Sequence, residues 1–165
     1  MKRIKQTDIF NKWLTKLKNE KGKAKIIDRI TRLKEGNRGD CRTIDKDIYE
    51  LRIHFGPGYR IYCTDRNNEI ILLLIAGDKS TQSKDIKKAQ NIIKLLKRIT
   101  MKVTDFDPVD YLTTKEVIVE YLNEALKTSI EDNAPEHFMQ ALGDVTRAQG
   151  ITNAAKATEL NREHL

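Results

Sequence analysis

The feature that most constrains the fold is a change to two-residue periodicity in the hydrophobic pattern. Residues 48–55, IYELRIHF, alternate strictly between apolar and polar side chains, and residues 59–64, YRIYCT, alternate again after a Gly-Pro-Gly turn. This period is typical of β-strands that are buried on one face. Residues 69–77 are apolar on both faces, which predicts a central strand, and a shorter strand is predicted at 41–45. The short turns favour antiparallel pairing.

Helical patterns flank these strands. Apolar residues recur at helical spacing in residues 8–20, where Asp8 is a candidate N-cap. Gly22 is expected to separate this helix from a second one, which Gly36 is expected to end. A further helix is predicted at about 82–98. We therefore predict an α+β domain made of two N-terminal helices, an antiparallel four-stranded sheet and a C-terminal helix.

Strand patterns stop at Met101, and only helical patterns follow. Thr113 opens a capping-box sequence at the start of one helix. Asn133 precedes another helix, which Gly150 is expected to end. The sequence therefore predicts two domains, residues 1–100 and residues 101–165, and the second is small and all-α. Two further short helices are predicted in it, at 152–158 and 161–165.

Charge divides the chain at the same point. Residues 1–100 carry 25 Lys and Arg residues against 12 Asp and Glu, whereas residues 101–165 carry 6 against 12. A basic domain joined to an acidic one indicates electrostatic complementarity between the two. A basic domain of this size is also typical of proteins that bind polyanions, with nucleic acid as the first candidate. The alternative is that the lysines form ordinary solvated helix faces.

Several classes of protein lack their sequence signatures here. The longest apolar run, residues 70–76, is far shorter than the roughly 20 residues that a membrane-spanning helix needs. The N-terminus has no apolar segment of the kind found in secretory signals. Cys41 and Cys63 show no metal-ligand spacing, so a zinc site is not predicted. No motif for a cofactor is found either, and none is predicted. These features favour a cytoplasmic protein.

The polar positions of the two alternating strands carry the candidate functional residues. If the Gly-Pro-Gly turn joins these strands antiparallel, their polar side chains share one solvent-facing surface. Arginine is a bidentate phosphate donor, and Tyr59 or Tyr62 is expected to stack on an unpaired base. The alternative is an outer face whose charges pair across strands, as Glu50 would with Arg60. The six residues on this face are Glu50, Arg52, His54, Arg60, Tyr62 and Thr64.

The turn GDKSTQ, at residues 77–82, is the second candidate feature. Asp78, Ser80 and Thr81 are all able to cap the helix that follows. The free N–H groups of that helix would also suit a phosphate, and Lys79 adds a positive charge beside them. Capping and phosphate binding both remain open from the sequence.

These motifs give the chain a resemblance to a known family over nearly all of its first half. Residues 8–98 resemble the RelE/ParE superfamily of bacterial toxins, in particular the HigB-like, phage Gp49-like addiction module killer proteins. The matching strings are FNKWLTKLKNEKGKAKIIDRITRLKEGNRGD (10–40), YELRIHFGPGYRIY (49–62) and LLLIAGDKSTQSKDIKKA (72–89).

Residues 103–165 resemble the HigA-like antitoxin of the same modules. The matching strings include TDFDPVDYL (104–112) and ALGDVTRAQGIT (141–152). The chain therefore looks like a toxin joined to its antitoxin near Met101. In that family the latter part of the antitoxin is a helix-turn-helix, and here the chain stops at Leu165, one turn into the recognition helix. Operator DNA binding is accordingly expected to be weak or absent.

The resemblance implies a RelE-like fold and a metal-independent endoribonuclease that cuts mRNA, on or off the ribosome, and so arrests growth. By position, Arg60 matches the family's arginine at the scissile phosphate, Arg52 is its neighbour, and Lys79 falls near a second cation. His54 is a candidate proton-transfer group from its place on the sheet face and its usual pKa range. Ser80 and Thr81 are candidate RNA contacts, as are the two tyrosines. The acidic segment is expected to neutralise the toxin in cis or on a neighbouring chain.

Two other functions stay open at this stage. A tyrosine that assists catalysis in RelE has no counterpart in residues 80–100. Its absence leaves room for a ParE-like protein that inhibits a protein target such as DNA gyrase without cutting RNA. The third alternative is an autoregulatory, DNA-binding toxin–antitoxin complex, which the short recognition helix disfavours.

Overall fold

A computed structural model of the chain describes the backbone of residues 1–163 and the side chains of residues 1–150. The chain divides into two compact units, Met1–Phe106 and Asp107–Leu165. The first unit thus extends past residue 100, where the sequence places the domain boundary. The extension exists because Val103–Asp105 forms a strand in the sheet of the first unit.

The first unit is built on a mixed sheet of six strands in the order β2-β3-β4-β5-β1-β6. Three helices belong to this unit as well. A single turn of 3-10 helix, Lys79–Thr81, links β5 to α3. In chain order the elements are β1 (Arg3–Thr7), α1 (Asp8–Lys16), α2 (Glu20–Lys34), β2 (Cys41–Thr43), β3 (Tyr49–Ile53), β4 (Tyr59–Arg66), β5 (Ile70–Asp78), α3 (Gln82–Arg98) and β6 (Val103–Asp105).

The four predicted strands, β2 to β5, are present and pair antiparallel in sequence order, and α3 matches its predicted range. The prediction of a four-stranded, purely antiparallel sheet is nevertheless wrong. Strand β1 pairs parallel with β5, and β6 pairs antiparallel with β1. The sequence pattern does not predict β1, because its one buried apolar side chain is Ile4, while its buried Gln6 and Thr7 are polar. Such a strand shows no hydrophobic alternation.

The two faces of the sheet pack against different helices. Tyr59 lies on the face covered by α1 and α2, where its ring meets Trp13 edge-on at 6.0 Å between centroids. A Cβ atom at Gly22 would lie 2.7 Å from the same ring, so α2 approaches β4 closely at a residue without a side chain. Tyr62 lies on the opposite face, in a cluster with Ala89 and Ile92 of α3. The sheet is therefore covered by helices on both faces.

Three helix-end predictions have different outcomes. The N-cap of α1 is Thr7 rather than Asp8, because the Thr7 hydroxyl accepts a hydrogen bond from the Phe10 N–H at 3.1 Å. Gly22 lies inside α2 instead of before it, since Asn19 caps that helix. Gly36 follows the C-cap of α2 with φ +94°, which confirms it as the residue that ends this helix.

The second unit has two long helices, α4 (Lys115–Glu131) and α5 (Pro135–Glu163), after a 3-10 turn at Pro108–Tyr111. Thr114, one residue after the predicted cap, accepts a hydrogen bond from the Val117 N–H. Tyr121 of α4 is fully buried, and its hydroxyl donates to Asp144 of α5 at 3.1 Å. This contact joins the two helices in the core of the unit.

The predicted helix end at Gly150 is wrong, because α5 continues without a break to Glu163. A glycine inside a helix costs only about 1 kcal/mol relative to alanine, and no proline follows to stop the helix. The predicted turn before Asn161, and with it the truncated helix-turn-helix, is therefore not present in residues 1–163. Residues 164 and 165, the end of the last predicted helix, lie outside the described residues. None of the described helices is both long and apolar enough to span a bilayer.

Candidate active site

The register of three strands brings most candidate residues to one end of the sheet. Arg52 of β3 lies directly opposite Arg60 of β4, and Arg60 lies opposite Gly77 of β5. His54 follows the end of β3, and Lys79 follows the end of β5. Two arginines, a histidine and a lysine thus meet at the same end of neighbouring strands, as an antiparallel pairing through the Gly-Pro-Gly turn predicts.

Glu50 is the centre of this arrangement, and it is completely buried. Its Oε1 atom accepts a hydrogen bond from Arg52 Nε at 3.0 Å and lies 3.4 Å from Arg60 Nη1. Its Oε2 atom accepts from the amide of Gln82 at 2.8 Å, at the start of α3. The ion pair of Glu50 with Arg60, given above as part of the alternative to phosphate binding, is present, but it is buried and not solvated.

The prediction that these polar residues form a solvent-facing surface is wrong. Helix α3 covers this face of the sheet, so Arg60 is only 9% exposed and Thr64 is buried as well. The side chain of Arg52 is 28% exposed at the rim of the cluster. The Nε atom of Arg60 is buried and makes no hydrogen bond to any described residue. Arg60 therefore has one N–H group that is not hydrogen-bonded to any described residue. Arg52 is the member of the cluster whose side chain reaches solvent.

Acid is expected to remove the contribution of Glu50 to stability. Burial raises the pKa of Glu50, but hydrogen bonds from Gln82 and Arg52 outweigh burial and bring this pKa below its usual 4.5. A carboxyl group whose pKa is lower in the folded protein stabilises the fold above the unfolded pKa. It loses this effect as the pH falls through the folded pKa.

We therefore expect urea unfolding to show a constant difference in stability between wild type and Glu50→Gln from about pH 7 to about pH 5, and a shrinking difference below that. The comparison with glutamine removes the effect of other carboxyl groups. A difference that persists unchanged to about pH 2 would contradict the depressed pKa.

His54 is exposed and paired with a carboxylate that the sequence analysis missed. Its Nε2 atom is hydrogen-bonded to Asp40 Oδ2, and the side chain of His54 is 71% exposed. The hydrogen bond from His54 is the main cause that lowers the pKa of Asp40. Arg29 fixes the segment that carries Asp40 by donating to the backbone oxygens of Arg38 and Asp40 at 2.6 and 2.8 Å. Asp40 directly precedes β2, so a prediction that β2 pairs with β3 would have indicated that Asp40 lies near His54.

The turn after β5 is stabilised by hydrogen bonds among residues 78–85. The Asp78 carboxylate accepts a hydrogen bond from the Ser80 N–H at 2.8 Å, and it also pairs with the Ser80 hydroxyl. The Thr81 hydroxyl donates to Asp85 at 2.6 Å. Asp78 is thus the N-cap of the 3-10 turn Lys79–Thr81. It does not cap α3, whose N-cap residue is Thr81 and makes no side-chain capping hydrogen bond. Lys79 is exposed and lies beside the Gly-Pro-Gly turn. Its Cβ atom is 3.7 Å from the position that a Cβ atom would take on Gly58.

The two tyrosines are less accessible than base stacking requires. Tyr62 is fully buried beneath α3, and burial followed by the nearby Glu50 carboxylate raises the pKa of its hydroxyl. The proposed stacking role of Tyr62 is therefore inconsistent with its position. Tyr59 is 5% exposed and lies against Trp13.

Neither cysteine is placed as a nucleophile. Cys63 is buried as predicted, and burial raises the pKa of its thiol. Cys41 is half-buried and unbridged. Among the described side chains, no group of three or more His, Cys, Asp or Glu residues is close enough to hold a metal ion.

Comparison with known families divides the chain at the same place as its charge. Residues 12–97 match the family described as "Phage derived protein Gp49-like". Residues 102–165 match the family described as "Probable addiction module antidote protein". The second match begins just before β6, so a strand of the first unit comes from the antidote-like sequence.

Two relatives are uncharacterized proteins of Haemophilus influenzae Rd. One is 53% identical over 87 residues, which are 53% of this chain and 88% of the relative. The other is 40% identical over 67 residues, which are 41% of this chain and 65% of the relative. No solved structure matches the chain significantly. The chain belongs to the Gp49-like family of phage-derived proteins, and the antidote-like segment that follows supports a type II toxin–antitoxin fusion.

Proposed function

We propose that the Gp49-like part of this chain is an RNA endonuclease of the RelE type and that the antidote-like part restrains it. The observation that carries this proposal is the meeting of Arg52 and Arg60 on adjacent strands, next to the exposed pair of His54 and Asp40. The buried carboxylate of Glu50 forms ion pairs with both arginines. Such a group of cations beside a proton-transfer group suits cleavage of a phosphodiester.

The reaction we propose is attack of a ribose 2′-oxygen on the adjacent phosphorus. An O2′–P bond forms and the P–O5′ bond breaks, which leaves a 2′,3′-cyclic phosphate and a 5′-hydroxyl end. His54 takes the proton of the 2′-hydroxyl, and the carboxylate of Asp40 orients its ring and stabilises the imidazolium that forms. Arg52 stabilises the charge that develops on the phosphoryl oxygens. Lys79 supplies the proton for the leaving 5′-oxygen.

Arg60 is better suited to positioning than to direct contact, because it is 9% exposed and lies beside a buried carboxylate. Its ion pair with Glu50 compensates part of the charge of that carboxylate. Two guanidinium groups on one carboxylate leave a net positive charge for the substrate phosphate. We therefore assign the substrate contact to Arg52, whereas the resemblance to RelE-type toxins implies Arg60.

The substrate we propose is mRNA, and the restraining partner is the antidote-like segment of the same chain or of a neighbouring one. Strand β6 supports this pairing, since residues 103–105 of the antidote match are hydrogen-bonded to β1 of the toxin-like sheet. Main-chain pairing at a sheet edge is a common way in which one protein segment holds another.

The test is to induce residues 1–106, the complete first unit, in growing bacteria and to map the 5′ ends of the mRNA. We expect growth arrest with new 5′-hydroxyl ends. Arg52→Ala is expected to lower the cleavage rate by about 100-fold or more, because it removes a donor to the transition state. Arg66→Ala is the matched control, since Arg66 is exposed at the opposite end of β4.

Two outcomes would contradict the proposal. Equal cleavage by wild type and Arg52→Ala would remove Arg52 from the site. Growth arrest with intact transcripts would replace the nuclease with an inhibitor of a protein target, such as DNA gyrase, and recovery of that target with the bound first unit would identify it.

A further inference from the structure

A cavity of about 410 Å³ lies between α1 and α3 at the end of β5. It exists because β1 pairs with β5 only as far as Leu73, so the last residues of β5 have a neighbouring strand on one side only. A space of this volume is in the usual range for small-molecule sites. Its principal lining side chains are Ile9, Trp13, Leu17, Tyr59, Asp85 and Lys88.

Asp85 is an ionisable group built into the wall of this cavity. It is only 5% exposed, and the Thr81 hydroxyl donates to its Oδ2 atom at 2.6 Å. A Cβ atom at Gly77 would lie 2.0 Å from the same oxygen, so the carboxylate lies against β5 at a residue that has no side chain. This fit fixes the position of a hydrogen-bond acceptor at the edge of an apolar space.

The opposite wall is aromatic. Trp13 is half-buried, and its indole meets the ring of Tyr59 edge-on. Proteins commonly bind an unpaired nucleobase by stacking its flat ring on an aromatic side chain. The indole of Trp13 and the aliphatic side chains of Ile9 and Leu17 offer such surroundings in this cavity. Lys88 adds a cation at the same cavity, where a phosphate or ribose would extend from a bound base.

We propose that this cavity binds a guanine base of RNA, with the Watson–Crick edge of the base on Asp85 and its ring against Trp13. A carboxylate only accepts hydrogen bonds. Guanine presents two adjacent donors, N1–H and the 2-amino group, whereas adenine and cytosine present one donor beside an acceptor that a carboxylate repels. Uracil presents one donor between two acceptors.

The position of the cavity relates this proposal to the proposed nuclease, on which it rests for its RNA substrate. Gly77 lies opposite Arg60 in the β4–β5 register, and Lys79 follows Asp78 directly. A base held here would thus lie next to the cationic end of the sheet. We expect the cavity to select the nucleotide beside the one that is cut.

Trp13 makes the test direct, because it is the only tryptophan in the chain. Titration of the full chain with GMP is expected to change the Trp13 fluorescence saturably. IMP, which lacks only the 2-amino group, is expected to bind about tenfold more weakly, since one hydrogen bond to a charged acceptor is lost. AMP, CMP and UMP are expected to bind more weakly still. Equal responses to GMP and IMP, or a signal that no nucleotide moves, would overturn the proposal.

Two variants test the residues. Asp85→Asn is expected to remove the preference for GMP over IMP. Lys88→Ala is expected to weaken all nucleotides by a similar factor and to keep the preference, with Lys94→Ala on the same helix as a control outside the cavity. If Asp85→Asn does not fold, the GMP and IMP comparison on wild type decides alone. Selective GMP binding without RNA cleavage would reject the proposed nuclease, while cleavage without selective binding would reject the guanine site.

Discussion

Replacement of Glu50 by alanine is expected to lower the free energy of unfolding of the first unit by about 3–5 kcal/mol. The carboxylate is completely buried and holds three partners on two strands and a helix, namely Arg52, Arg60 and Gln82. Its removal leaves the buried guanidinium of Arg60 without a negative charge. An uncompensated buried charge costs more than the net gain of the original ion pair, so the loss is large.

Urea unfolding followed by Trp13 fluorescence measures this loss in the first unit alone, because the single tryptophan lies in α1. This choice of probe avoids the assumption that two units unfold as one. Glu69→Ala is the matched control, since Glu69 is exposed in the turn between β4 and β5 and is expected to change stability by less than about 0.5 kcal/mol. A loss below about 1 kcal/mol for Glu50→Ala would mean that the cluster relaxes and that Arg60 reaches solvent.

Two replacements of Glu50 are expected to differ in their effect on the proposed RNA cleavage. Arg52 is partly exposed and keeps solvation without Glu50, whereas Arg60 does not. If RNA cleavage occurs, we expect Glu50→Gln to retain more of it than Glu50→Ala, because glutamine keeps an oxygen acceptor at the centre of the cluster.

Strict alternation explains why the sequence correctly predicts strands β3 and β4 and the residues that share one face of them. Each polar residue on β3 meets a polar residue on β4, as Arg52 meets Arg60. Alternation identifies which residues share a face, but it does not say what covers that face. Glu50 and Tyr62 look like surface residues in the pattern, and α3 buries them because its own apolar stripe needs a partner.

The features that the sequence does not predict depend on contacts between distant residues. Strand β1 is held by a parallel partner more than sixty residues away, and its buried positions are polar, such as Thr7, whose hydroxyl donates to the Leu74 carbonyl at 2.7 Å. Asp40 reaches His54 only through the pairing of β2 with β3. The Asp85 cavity depends on where β1 ends. No local pattern encodes these placements.

Thr104→Pro is expected to lower the free energy of unfolding of the first unit by about 2–3 kcal/mol. Phe106 donates its N–H to the Ile4 carbonyl at 3.0 Å, and donors alternate along an antiparallel strand, so the Thr104 N–H also points toward β1. Proline removes this donor opposite Gln6, a residue that is only 3% exposed. Loss of β6 also uncovers the cluster that Met101 and Val103 pack against.

Asp105→Pro provides the matched control for this strand. By the same alternation the Asp105 N–H points away from β1, and its ion pair with Lys5 is largely exposed, so its loss is expected to cost less than about 1 kcal/mol. The two variants place the same residue type one position apart, and only one of them breaks the ladder. Equal stability of the two in urea unfolding would show that β6 does not contribute to the sheet. A selective effect of Thr104→Pro would show that β6, which belongs to the antidote-like sequence, is a structural part of the toxin-like unit.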